Sequence, residues 1–205
     1  MRTMALTLRG ILSGGRLLSA AAVFVLLQVD LASAQPAPAT LTVHEARGTY
    51  TVAARFFVDQ PPSAALAVLA DYDQISRFMP GVRSSVVLER AAGHAVVAQE
   101  AVSSVMLFSK RVHLVLEIDE QPDALVFRDR CGRSFARYEG AWRVSPANGR
   151  TAITYELTAE PSFDVPGFML KRLLRRDSTA MIERLQREIA ARAASGPGLP
   201  PAPHE

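Results

Sequence analysis

The chain has 205 residues, enough for one domain or at most two small ones. Apolar residues make up 49% and charged residues 21%, which excludes a disordered protein, a collagen or a coiled coil as the main body. A single cysteine, Cys131, excludes an internal disulfide framework. The net charge of +3 is mostly the property of one end.

At that end Arg2, Arg9 and Arg16 precede an uncharged apolar run from Leu17 to Leu27, and Ala32-Ser33-Ala34 closes the segment. This is the order of a secretory signal peptide, 1–34, cleaved between Ala34 and Gln35. The run is shorter than the ~20 apolar residues a bilayer crossing needs; retention as an anchor is the alternative. Removing three arginines together with Asp30 takes the net charge from +3 to +1. The mature chain therefore lacks the concentrated basic face that nucleic-acid binding requires. Export with one unpaired cysteine suits a bacterial periplasm, where Cys131 needs burial to escape oxidation.

Residues 35–43 begin with Gln35-Pro36-Ala37-Pro38-Ala39-Thr40 and read as a stiff linker, and 195–205 as a disordered Gly/Pro-rich tail. The domain between them is 44–194. His44 to Val58 alternates and is rich in β-branched and aromatic residues, so it predicts a first strand. Pro61-Pro62-Ser63 then opens a helix, and a second short helical turn spans Asp73 to Phe78, stopped by Met79-Pro80-Gly81. Six strands follow: Val82 to Arg90, His94 to Met106, Ser109 to Glu120, Leu125 to Arg130, Phe135 to Val144 and Arg150 to Glu160. Turn residues such as Ala92-Gly93, Pro122-Asp123 and Asn148-Gly149 separate several of them. Their short connections imply antiparallel neighbours. Alternation is clearest in Val112-x-Leu114-x-Leu116-x-Ile118, a strand with one buried and one wet face.

A long helix closes the chain, from Val165 to Ala193. Asp164 is its expected N-cap, with Phe163 stapled against Phe168. Leu170, Leu174, Met181, Ile182, Leu185 and Ile189 form one stripe; Arg172, Arg175, Arg176, Glu183, Gln186 and Arg187 take the other side. Glu183–Arg187 and Arg184–Glu188 are expected four-apart ion pairs. The order predicts an α+β fold: a curved antiparallel sheet of six or seven strands, two short helices after the first strand, and a long helix across the inner face. Strong curvature would leave a cavity; a filled core would show the same stripe.

The sequence resembles a known family in three places. These are Asp71-Tyr72-Asp73-Gln74-Ile75-Ser76-Arg77-Phe78-Met79-Pro80-Gly81-Val82, then Tyr138-Glu139-Gly140-Ala141-Trp142, and Pro161-Ser162-Phe163-Asp164-Val165-Pro166-Gly167-Phe168. They are similar to the polyketide cyclase/dehydrase and coenzyme Q-binding-protein branch of the START-like, helix-grip superfamily, which includes birch-pollen-allergen-like proteins. The resemblance implies a hydrophobic ligand held between the long helix and the sheet. The export signal departs from the branch's cytosolic and mitochondrial members.

Expected lining residues are Met106, Phe108, Leu116, Phe127, Trp142, Tyr155, Met169, Leu170, Leu174 and Met181, with Trp142 and Tyr155 the largest handles. His44, His94, His113 and His204 show no metal-ligand spacing, so no metal site is expected, and no cofactor fingerprint is present. Glu100, Glu139 and Glu156 are the acid–base candidates if any of them faces a cavity. The leading expectation is an exported, non-catalytic carrier or sequestering protein for a lipid, isoprenoid or quinone-like molecule. Basic pairs Lys171-Arg172 and Arg175-Arg176, with the Phe78-Met79-Pro80 corner, offer contact with a membrane surface. The alternatives are a cyclase- or dehydratase-like enzyme on an aromatic substrate, and an interaction module with a filled core.

Overall fold

Arg47 and Gly48 both take positive φ, 53° and 81°, the backbone of a tight two-residue hairpin whose twist matches its strands. That turn divides the first expected strand in two: β1 (Thr40–Ala46) and β2 (Thr49–Val58) pair antiparallel from Thr40↔Arg55 to Ala46↔Thr49. Residues 40–43, expected as linker, are therefore paired in the sheet. The computed structural model describes residues 39–105 and 108–195, the side chains of 103–105 and 108 excepted.

After β2, helix α1 (Pro62–Leu69) starts with proline in its first turn, where no N–H is needed. A 3-10 turn (Tyr72–Gln74) runs into the short helix α2 (Ile75–Phe78). Strands β3 (Val82–Ala91), β4 (His94–Val105), β5 (Phe108–Glu120), β6 (Ala124–Asp129), β7 (Phe135–Ala147) and β8 (Arg150–Pro161) then run as a meander. The last of these pairs with β2, so the sheet order is β1-β2-β8-β7-β6-β5-β4-β3, antiparallel throughout. The sheet has eight strands, not six or seven. The α+β class and the closing helix, α3 (Gly167–Ala194), are as expected.

Several details of α3 differ from the sequence reading. It begins at Gly167 behind Pro166, and no side chain caps it; Asp164 is exposed. Phe168 is 76% exposed, so it forms no staple with Phe163, whose ring meets Phe135 instead. Arg187 Nε donates to the Glu183 carbonyl, and Glu188 is taken by Arg192 at 2.7 Å. Gln186 is half-buried and donates to the Phe57 carbonyl at 3.1 Å. The buried face drifts along the helix: Leu170, Leu173 and Ser178 are buried early, Ile182, Leu185 and Ile189 late. A straight 3.6-residue period laid on a coiled sheet produces that drift.

Two acidic residues of the Asp71–Val82 motif hold the short helices in place. Asp71 accepts from Arg192 at 2.6 Å, tying the 3-10 turn to the end of α3. Asp73 accepts from the Val87 N–H at 3.0 Å, tying the same turn to β3. Phe56, Ile153, Leu185 and Ile189 are among the fully buried side chains of the core.

Candidate functional site: an apolar cavity with an aromatic row

Between the sheet and α3 lies a cavity of about 270 Å³, which Tyr72 of the 3-10 turn also borders. Val112, Leu114, Leu116 and Ile118 of β5 form one wall, with Leu125 and Phe127 of β6 beside them. Phe135, Tyr138, Trp142, Tyr155 and Leu157 of β7 and β8 form a second. Leu170, Leu173, Leu174, Ser178 and Met181 of α3 form the roof, and Met79, Pro80 and Val82 stand at the rim. Strand alternation delivers every second residue to this face, so the wall is apolar because β5 is patterned that way.

Aromatic rings form a continuous row along it. Trp142 stacks on Tyr155 with centroids 4.2 Å apart, and Phe127 lies 6.4 Å from Tyr155 and 6.0 Å from Tyr138. Phe135 continues the row, 4.9 Å from Tyr138 and 6.0 Å from Phe163. Such offset and tilted pairs each add to the stabilisation that burial gives. Gly140 makes the row possible: a Cβ there would lie 2.0 Å from the Glu156 carbonyl oxygen and 2.8 Å from the Phe127 ring.

The polar groups on this surface are few. Gln99 donates to Ser85 at 3.1 Å. The hydroxyls of Tyr138 and Tyr155 interact with one another, and burial pushes both phenols up, Tyr155 furthest. Tyr138 is enclosed by protein, and the surface it still presents borders the cavity. The Tyr72 hydroxyl is buried; desolvation first, and then the neighbouring Glu120 carboxylate, raise its pKa, although the two do not reach hydrogen-bonding geometry.

These tyrosines predict an alkaline weakness. Below pH ~10 they are protonated in both the folded and unfolded states. Above it the unfolded chain releases protons that the folded chain retains, so stability falls as pH rises. Each retained proton contributes a slope of about 1.4 kcal/mol per pH unit. Urea midpoints on both sides of pH ~10 should show the fall, and Tyr155→Phe should flatten it; an unchanged slope would count against the enclosed pair.

Seven expected lining residues meet at this cavity: Leu116, Phe127, Trp142, Tyr155, Leu170, Leu174 and Met181. Met169 does not; it packs beside Tyr50, Leu170 and Leu173 in a small cluster next to it. Met106 lies outside the described residues, and Phe108 is described only by its backbone pairing with Val105. Tyr72, Gln99, Lys110, Tyr138, Leu173 and Ser178 also line the cavity, unforeseen from the sequence. Lys110 and Tyr138 had a signal: each is in phase with the inward residues of its strand.

Glu100, Glu139 and Glu156 all lie on the outer face. Glu100 is 3.6 Å from His113, Glu139 pairs with Arg137, and Glu156 is 3.6 Å from Arg143. None of the three can serve as a base toward a cavity ligand. Among the described residues no three of His, Cys, Asp and Glu stand close enough to hold a metal ion. Cys131 is half-buried, its Sγ 3.5 Å from an oxygen of Asp129. That carboxylate also accepts from the N–H groups of Val115, Cys131 and Gly132, so it builds the β6–β7 turn.

A coiled antiparallel sheet closed by a C-terminal helix around a largely apolar cavity defines the helix-grip class. The comparisons with known proteins agree with it. Residues 58–186 match the family model described as polyketide cyclase / dehydrase and lipid transport, and the chain belongs to that family. The search of curated proteins finds no match. Among solved structures, the fold is similar to the Zhui aromatase/cyclase of Streptomyces sp. R1128, with 18% identity, TM-score 0.61, and 74% of this chain and 99% of that one covered. It is similar to a STAR-related lipid transfer protein of Xanthomonas axonopodis, at 15% identity and TM-score 0.54, covering 73% and 98%. It also resembles human STARD10, at 11% identity and TM-score 0.61, covering 75% and 74%. At these identities the likeness is one of fold.

Proposed function

We propose that this chain is an exported carrier or sequestering protein for a single hydrophobic small molecule, acting in the periplasm. The observation that carries the reading is the cavity of about 270 Å³, mostly apolar in its lining and backed by the aromatic row. An apolar cavity of roughly 150 Å³ takes benzene, so this one suits a fused ring, a short prenyl chain or an acyl chain. It is too small for a two-chain phospholipid. Burying about 200 Å² of ligand would contribute roughly 5 kcal/mol at ~25 cal/mol per Å². The family description names lipid transport beside cyclase chemistry, and with Glu100, Glu139 and Glu156 outside, binding is the reading the site supports best.

The signal-like segment 1–34 supports export, and the outer side of α3 supports contact with a bilayer. Phe168, 76% exposed, is followed three, four and seven residues later by exposed Lys171, Arg172 and Arg175, which share its side of the helix. An anionic surface attracts each such cation by about 1 kcal/mol, and Phe168 can enter the headgroup layer. No helix among the described residues is long and apolar enough to cross a membrane.

Solvent extraction of the purified full chain followed by mass analysis tests the reading. One apolar compound near one per chain, displaced by the neutral probe phenylnaphthylamine, is the expected result. An empty extract together with no probe binding would overturn it.

A further inference from the structure

The inner face of β5 is graded from charged to apolar. Lys110, Val112, Leu114, Leu116 and Ile118 alternate in phase, and all five line the cavity. At ~3.3 Å per residue the wall runs roughly 26 Å from an ammonium to an isoleucine. The other charges of this strand are placed differently. Arg111, Glu117 and Asp119 are out of phase, on the outer face, where Glu117 pairs with Arg128 at 2.7 Å. Glu120, in phase at the far end, pairs with Arg90 at 3.1 Å. Lys110 alone of these in-phase charges has no carboxylate within ion-pair distance among the described residues; its Nζ lies 4.5 Å from the centre of the Phe163 ring. The other ionised side chain lining the cavity, Asp177, pairs with Arg176.

We propose that Lys110 is the head-group site of this cavity. Its ligand is a single-chain or single-ring amphiphile ending in an anionic group, a carboxylate or a phosphate. The head bonds to the Lys110 ammonium beside Phe163, and the tail lies along Val112, Leu114, Leu116 and Ile118. The inference rests on the carrier reading and narrows its ligand. A half-buried ammonium without an acidic partner is a poor neighbour for an apolar guest, since its three donors lose water when the cavity fills. A charge-assisted bond to an anionic head restores them, and partial burial shields that bond from salt screening. The bland role for Lys110 is a stem packed on apolar surface with its head in water. Methionine at 110 keeps that packing and removes the charge.

Calorimetric titration of the full chain with decanoate, decyl phosphate and decanol separates these possibilities, repeated on Lys110→Met and Lys110→Arg. The expected result is tighter binding of at least one anion than of decanol, by about tenfold. Lys110→Arg keeps the preference, whereas Lys110→Met loses it because the anions bind more weakly. Whichever anion binds more tightly identifies the head group. Equal binding of anions and alcohol to the native chain, or a preference that survives Lys110→Met, overturns the inference and leaves the carrier reading standing. Failure of all three ligands to bind while phenylnaphthylamine still binds overturns the inference alone; failure of phenylnaphthylamine as well overturns both.

Discussion

Gly140→Ala is expected to lower stability by about 3 kcal/mol, read as a fall in the urea midpoint. The added Cβ would sit 2.0 Å from the Glu156 carbonyl oxygen, a backbone atom held in the β7–β8 ladder by pairs that run from Phe135↔Pro161 to Ala147↔Arg150. It would also press on the Phe127 ring at 2.8 Å, and that ring is tied into the aromatic row by Tyr138 and Tyr155. Neither neighbour can yield without unpairing a strand or breaking a stack. Gly48→Ala supplies the contrast. Its φ of +81° is strained for alanine, but no atom stands within 4 Å of the new Cβ, so the cost is backbone strain of roughly 1 kcal/mol. Equal midpoints for the two variants would mean that close approach at Gly140 does not shape the sheet.

Gly140 also shows what kind of information the sequence carried. Strand phase made the order of elements legible from Pro62 to Pro161, because alternation is imposed by burial of one face and survives in any register. The β1–β2 hairpin was not legible, since its turn is Arg47-Gly48 rather than Asn-Gly or Asp-Gly, and arginine at positive φ is uncommon. The start of α3 differs for a related reason: Asp164 is a good cap by type, but the N-cap position falls on Pro166, two residues further on, and the helix begins at Gly167. Neither ion pair expected along α3 forms: Arg187 bonds the Glu183 carbonyl, and Glu188 is taken by Arg192, which also bonds Asp71. Glu188 exchanges one four-apart partner for another; such pairs differ by only a few tenths of a kcal/mol, so the added bond from Arg192 to Asp71 decides between them.

Side-chain direction decided how much of the site could be read. Leu116, Phe127, Trp142 and Tyr155 were legible because an inward apolar residue on a coiled strand has one place to go. Met169 was not: on α3 it lies one residue away from Leu170, which rotates it off the roof and onto the cluster with Tyr50. The three glutamates carried no signal of direction by type, and only strand phase places them outside. Lys110 was hidden by its charge, since a lysine is ordinarily assigned to the wet face.

Leu174→Trp should separate a carrier from a filled core. Leu174 is half-buried on α3 and borders the cavity, so the larger ring has open volume to enter rather than packed neighbours to displace. Binding of phenylnaphthylamine should fall by about a hundredfold, some 2.7 kcal/mol, because the ring and the probe claim the same space. Stability should hold or rise, since empty volume is itself destabilising at roughly 24 cal/mol per Å³. Overpacking would give the opposite sign, a loss of about 1–3 kcal/mol, and would mean that the interior was already full. Phe168→Ser provides the complementary variant. Its exposed ring is not part of the cavity lining, so probe binding in free solution should be unchanged, while adsorption to vesicles containing anionic lipid should weaken. Loss of both properties in either variant would mean that cavity and helix surface are not independent, and that the proposed division between holding the guest and meeting the membrane is wrong.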